Sequence, residues 1–172
     1  MKWGIAILIL SMGLVRPQTD RVPLVEVRLI DGTQTTVQEL LKDGPLLVDF
    51  WALWCAPCLK AMPHLDEYHK VFKDRGFNVL AINLDTQRSL SKVRTYVRSR
   101  GYSFLVAVDP AQESFQRLNG NSLPYTLLID SSGKIHHRHM GYVPGDEKTL
   151  RDQIVTLLNG KTGAPAGAPD IQ

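Results

Sequence analysis

The sequence is poor in cysteine, with two such residues, Cys55 and Cys58, in 172. A fold stapled by several disulfides is therefore excluded, and the one bridge this pair can form closes too short a loop to restrict the unfolded chain much. Charge of one sign is also scarce: 20 basic residues against 17 acidic ones leave a formal +3, too little to imply nucleic acid as a partner. No apolar run reaches the roughly 17 to 25 residues that a membrane-spanning helix needs. The run at the start, Trp3 to Val15, is shorter. No internal repeat is present. What remains, 44% hydrophobic and 22% charged, is the composition of one globular domain long enough to bury a core unaided.

Lys2 heads the first apolar run, which carries no acid, and Ser11 and Gly13 are small residues spaced as a processing site prefers. These features predict a secretory signal over residues 1–13, or an anchor if the run is retained. Arg16-Pro17-Gln18-Thr19-Asp20 falls in a linker spanning 14–21. The folded domain is then expected over 22–158. Residues 159–172, rich in Gly, Ala and Pro, have nothing to pack and read as a disordered tail.

Inside the domain, apolar runs alternate with amphipathic segments. Val25 to Leu29 reads as a strand, Asp31-Gly32 as a turn and Thr36 to Lys42 as a short helix closed by Gly44-Pro45. Leu46 to Trp51 is apolar apart from Asp49, as a strand covered on both faces should be. A helix with Pro63 inside follows from Cys58 to Asp74, then a second central strand from Phe77 to Leu84. Leu90 to Arg100 forms an amphipathic helix with a basic outer side, Leu105 to Val108 a third strand, and Gln112 to Leu118 a short helix. Tyr125 to Ile129 and Lys134 to Met140, joined by Ser131-Ser132-Gly133, read as a hairpin. A last helix carries Leu150, Ile154, Leu157 and Leu158 inward. This order predicts an α/β fold, a three-layer α/β/α domain with a central mixed sheet.

The chemistry concentrates in Cys55-Ala56-Pro57-Cys58, which follows a central strand and opens a helix. Unpaired amides and the helix dipole at that point favour a thiolate on Cys55. The thiolate is the form that attacks disulfides, and Cys58, one turn further in, is placed to resolve the resulting mixed disulfide. Pro57 suits a first turn because it lacks an N–H that would go unpaired there. With no third cysteine, the pair reads as chemistry and not as a staple.

The run Val48-Asp49-Phe50-Trp51-Ala52-Leu53-Trp54-Cys55-Ala56-Pro57-Cys58, with Pro63 five residues on, resembles the thioredoxin superfamily, and within it the TlpA-like and ResA-like exported thiol:disulfide oxidoreductases. The resemblance covers about residues 22 to 158. It implies a thioredoxin-like fold, a redox-active Cys55–Cys58 disulfide with no other cofactor, and a cis peptide at Leu123-Pro124 facing it. Substrate contact then falls to Trp54, Ala56, Pro57, Leu123 and Pro124, with the backbone of Leu123 pairing with the client. Asp49 matches the buried acid of thioredoxins, where it would exchange a proton with Cys58. The implied role is a monomeric reductase of disulfide-bearing exported clients, apocytochrome c among them. It would work outside the cytoplasm, in a bacterial periplasm, and be recharged by a membrane electron donor.

This chain departs from the family at three points. Ala61 stands where many ResA-like proteins have a glutamate, Leu53 replaces an acid common before the motif's tryptophan, and Ala81 sits where thioredoxins place a lysine. Two other functions compete with the reductase: a disulfide-donating oxidase or isomerase, and a copper-binding chaperone using both thiolates with His64 nearby. Strong oxidants of the superfamily have a histidine between the cysteines, and Ala56-Pro57 offers none. In His136-His137-Arg138-His139, alternation puts His137 and His139 on one face, but two ligands do not make a closed metal site.

Overall fold

The computed structural model describes residues 20–162, so the expected signal peptide, most of the linker and the end of the tail lie outside the described residues. In chain order the elements are β1 (Glu26–Leu29), β2 (Gln34–Thr36), α1 (Val37–Leu40), β3 (Leu46–Trp51), α2 (Ala56–Phe72), β4 (Asn78–Asn83) and α3 (Leu90–Arg100). They continue with β5 (Leu105–Val108), α4 (Glu113–Arg117), β6 (Tyr125–Ile129), β7 (Ile135–Met140) and α5 (Asp146–Thr162). The seven strands form one sheet in the order β2-β1-β5-β4-β3-β6-β7. β3, β4 and β5 are mutually parallel, while β6 runs antiparallel to β3, and β7 to β6.

All six residues of β3 are buried, which requires cover on both faces. One cover is α2, α3 and α5, whose Met62, Leu65, Tyr68, Phe72, Val93, Ile154 and Leu158 pack on Leu47, Trp51, Val79 and Leu128. On the other face α1 and α4 bring Val37 and Phe115 against Leu46, Val48, Phe50, Leu80 and Ile82. The three-layer α/β/α thioredoxin-like fold with a central mixed sheet is thus the observed architecture.

Three boundaries differ from the pattern reading. Gln34–Thr36 forms an edge strand against β1, so the short helix starts only at Val37, with the Thr36 hydroxyl accepting from the Glu39 N–H as N-cap. α2 begins two residues before Cys58 and passes through Pro63, whose missing N–H leaves the Leu59 carbonyl without its helical donor. α5 continues to Thr162, past the boundary at residue 158. Arg75 donates to the Asn159 side chain at 2.9 Å and ties this last turn to the body.

Two further contacts fix the frame. Gly44, at φ 140°, packs so closely that a Cβ there would lie 1.8 Å from the Gly76 carbonyl oxygen. The entries to β3 and β4 therefore meet backbone to backbone, and Asn78 N–H donates to the Pro45 carbonyl at 2.9 Å. Before β1, Asp20 to Val22 lie against the β6–β7 turn: Val22 N–H donates to the Gly133 carbonyl at 2.9 Å and Ile135 N–H to the Asp20 carbonyl at 2.6 Å.

Candidate active site

β3 delivers the chain to the site. After Trp51 the backbone turns, Cys55 N–H donates to the Ala52 carbonyl at 3.1 Å, and Cys55 becomes the N-cap of α2 with extended dihedrals. Its sulfur accepts from the Cys58 N–H at 3.3 Å, so the side chain sits among the unpaired amides of the first turn. Cys55 and Cys58 form a disulfide with their Cα atoms 5.3 Å apart. Cys55 is 5% exposed and Cys58 wholly enclosed. Ala56 and Pro57 lie exposed on the first turn of α2. Trp54 is 70% exposed beside them, whereas Trp51 is fully buried.

The register brings the second predicted segment to the same place. Phe50 pairs with Tyr125, so Leu123 and Pro124, just ahead of β6, sit at the end of the sheet where β3 gives way to the cysteine loop. The Leu123–Pro124 peptide is cis. Leu123 packs against the cluster that contains both cysteines, and the Pro124 carbonyl accepts from Gly141 N–H at 2.9 Å.

Asp49 is 1% exposed and points to the α2 side of the sheet, between Leu47 and Trp51 in the strand alternation. Burial raises its pKa to about 7, against a smaller lowering effect of the hydrogen bond from Thr126. That hydroxyl donates to Asp49 Oδ1 at 2.7 Å, while Oδ2 has no partner among the described residues. Opposite Asp49 on β4 stands Ala81, which brings no cation. A cavity of about 60 Å³ adjoins the acid, lined among others by Ala61, Pro124 and Thr126, and by His137 and His139 of β7.

Sequence reasoning missed the anchor of the cysteine loop. Asp85 Oδ2 accepts from the Leu53 N–H at 2.8 Å and from Asn83 Nδ2 at 2.9 Å, and the Asp85 N–H donates to Asn83 Oδ1 at 3.0 Å. Both residues are buried. Two polar residues flanking Leu84 at the end of an apolar strand were the available signal. Thr126 was missed as well, since a threonine in a strand carries no mark of the residue it will face. His137 and His139 do share a face, their rings stacked with centroids 5.8 Å apart. His64 stacks on Tyr142 at the surface. Among the described residues no group of three or more His, Cys, Asp or Glu could hold a metal, and no helix is long and apolar enough to cross a membrane.

Comparison with known proteins places the site in context. The chain is 32% identical over 122 residues to the thiol-disulfide oxidoreductase ResA of Bacillus subtilis, covering 71% of this chain and 66% of that one. It is 31% identical over 112 residues to ResA of Bacillus anthracis, covering 65% and 63% respectively, so it spans a little under two thirds of the length of these curated relatives. Among solved structures, a candidate thiol:disulfide interchange protein DsbE from Chlorobium tepidum is similar at a TM-score of 0.75 and 28% identity, over 81% of this chain and 96% of the other. The redoxin family model matches residues 17–154, and with a disulfide at the helix start of a thioredoxin-like fold the chain belongs to the redoxin family.

Proposed function

We propose that the protein is a thiol:disulfide reductase for exported, disulfide-bearing client proteins, with apocytochrome c as the leading client. The observation that carries this reading is the placement of Cys55 as N-cap of a 17-residue helix with Cys58 enclosed one turn on. In the reduced protein the Cys55 thiolate, favoured by the helix start, attacks a client disulfide; one client sulfur leaves and takes a proton from solvent. Cys58 then gives its proton to the Asp49 carboxylate and attacks the Cys55 sulfur. The bond from Cys55 to the client breaks, leaving a reduced client and the Cys55–Cys58 disulfide. No cofactor enters the exchange. A membrane electron donor outside the cytoplasm restores the dithiol.

Trp54 offers apolar surface to the client, with Ala56 and Pro57 beside the reacting sulfur and the Leu123 backbone, held at Pro124, pairing with the client's extended segment. Direction follows from which state of the cysteines is stabilised. Ala56 and Pro57 add no cation to hold the Cys55 thiolate, and negative charge on Asp49 disfavours it, so the disulfide is a weak oxidant. The relatives named thiol-disulfide oxidoreductase support the chemistry.

Trapping tests the assignment. Cys58→Ser should accumulate mixed disulfides with clients in cells, and their appearance with Cys55→Ser instead overturns the order of the two thiols. Equilibration with dithiothreitol or glutathione buffers should give a potential nearer about −270 mV than about −120 mV, the values of thioredoxin and of a strong oxidant. A potential at the oxidising end would replace the reductase by a disulfide donor.

A further inference from the structure

The proton that Asp49 takes from Cys58 either stays on the acid until the disulfide is reduced again and Cys58 reclaims it, or leaves the interior, and only the second course needs a path to solvent. The residues opposite it in the sheet form a row: Ala81 on β4, Asp49 on β3, Thr126 on β6 and His139 on β7. Neighbouring strands lie about 4.8 Å apart, which puts the backbones of Asp49 and His139 about 10 Å from each other. Thr126 holds Oδ1. Oδ2 has no hydrogen-bond partner among the described residues, and Asp49 is one of the residues that line the 60 Å³ cavity. One water needs about 10–15 Å³ of such space and several polar partners, so this cavity has room for a short chain of water.

We propose that His139 is the outer end of a proton path that runs from Asp49 Oδ2 through water in this cavity to solvent. The proposal rests on the reading of Asp49 as the acid that takes the Cys58 proton. His139 lines the cavity, and its side chain is 39% exposed. Its Nε2 stands 3.0 Å from Asp146 Oδ2, which fixes the ring and leaves Nδ1 as the nitrogen to meet water.

The other titratable groups around the cavity are otherwise engaged or lie off the row. From α2, Tyr68 donates to the Glu147 carbonyl at 2.6 Å, and His64 stacks on Tyr142. Tyr142 donates to Glu147 Oε2 at 3.1 Å, and Asp146 also accepts from the Val143 N–H. His137 stands opposite Leu128, one pair further along, and burial together with its neighbour His139 lowers its pKa. Ala61 and Ala81 contribute no polar side chain. When Cys58 attacks, its proton passes to Asp49. It then leaves through the water chain to the His139 ring and on to solvent, restoring the carboxylate. The client disulfide is the oxidant, and reduction of the protein takes up a proton along the same path.

The test is resolution of the mixed disulfide by the full chain, mixed with a disulfide-bonded peptide and followed by intrinsic tryptophan fluorescence across pH 5.5 to 8.5. His139→Ala and His139→Gln should slow resolution near neutral pH by about tenfold, less than the hundredfold or more typical of a group that meets the reacting atoms itself. Glutamine keeps a donor for Asp146 but cannot relay a proton, so the fold is retained in at least that variant. Added imidazole should restore the rate of His139→Ala and not of His139→Gln. His137→Gln should keep the parent rate and pH profile. If Asp49→Asn slows resolution and His139→Gln leaves rate and profile unchanged, the path is overturned while the role of Asp49 stands. Slowing of His139→Ala without recovery in imidazole gives His139 a structural part only and overturns the path as well. If Asp49→Asn itself resolves at the parent rate, the reading of Asp49 fails and takes the path with it, leaving the two cysteines as assigned.

Discussion

The two faces of the sheet bury different things. On the side of α1 and α4, Phe50 meets Phe115 edge-on at 5.2 Å and stacks on Tyr125 at 5.9 Å. The Tyr125 hydroxyl donates to the Leu118 carbonyl and accepts from Arg138, so even the polar atom there is paired. On the side of α2, α3 and α5 lie the three buried side-chain polar atoms without a partner among the described residues: Asp49 Oδ2, Trp51 Nε1 and Gln153 Oε1. A native interior pairs nearly all such groups, and exceptions mark either function or water. One face of the same strand therefore serves cohesion, while the other gives up some cohesion to keep an acid beside the cysteine helix.

The largest stability change should come from the cohesive face. Phe50→Ala is expected to cost about 3–5 kcal/mol in urea unfolding, with the pH profile of disulfide resolution unmoved. A displaced profile would mean that the faces are not independent. Asp49→Asn should act oppositely, and only over a window of pH. Burial holds the folded acid protonated up to about pH 7, whereas the unfolded acid titrates near 3.8. Between those values the folded state binds more protons, so stability of the parent protein falls as pH rises, by up to about 4 kcal/mol, and then levels off. The asparagine variant lacks this slope and should be the more stable of the two above pH 7. Parallel stability curves for the two proteins would show that Asp49 is not an isolated buried acid.

A smaller effect is expected at the loop that joins the strand to the cysteines. Asp85→Ala leaves the Leu53 N–H and the Asn83 amide without their acceptor and should cost about 1–3 kcal/mol. Thermal denaturation would read this, and an unchanged midpoint would show that the loop holds itself. Smallest of all, Trp54→Ala should change stability by no more than about 0.5 kcal/mol, because the ring is mostly in solvent. Its effect should appear as a raised KM for protein clients with little change in kcat. Equal activity on folded clients would remove Trp54 from the client surface.

The sequence displayed its local physics well. An apolar run with one acid, a Cys-x-x-Cys at a strand-to-helix junction and amphipathic spacing in the long helices each reflect neighbours within one turn or one strand. Leu123-Pro124 became visible only through family resemblance, since a proline before a strand is otherwise ordinary. The meeting of Thr126 with Asp49 could not be read, because the hydroxyl stands 77 residues away in sequence and arrives through a strand register that no local pattern encodes. Gln34–Thr36 was hidden for a similar reason: three residues make a strand there because β1 offers an edge to pair with. At the other end, composition overruled helical continuity, and α5 keeps its last turn through Gly160 with Asn159 bonded to Arg75.

The crossing of Asp20 to Val22 toward the β6–β7 turn sets an orientation for the whole molecule. Leu46 pairs with Ile129 at that end of the sheet, and the six residues of β3 carry the chain about 17 Å from there to the cysteine loop. The polypeptide is thus made fast at one pole and carries its disulfide at the other.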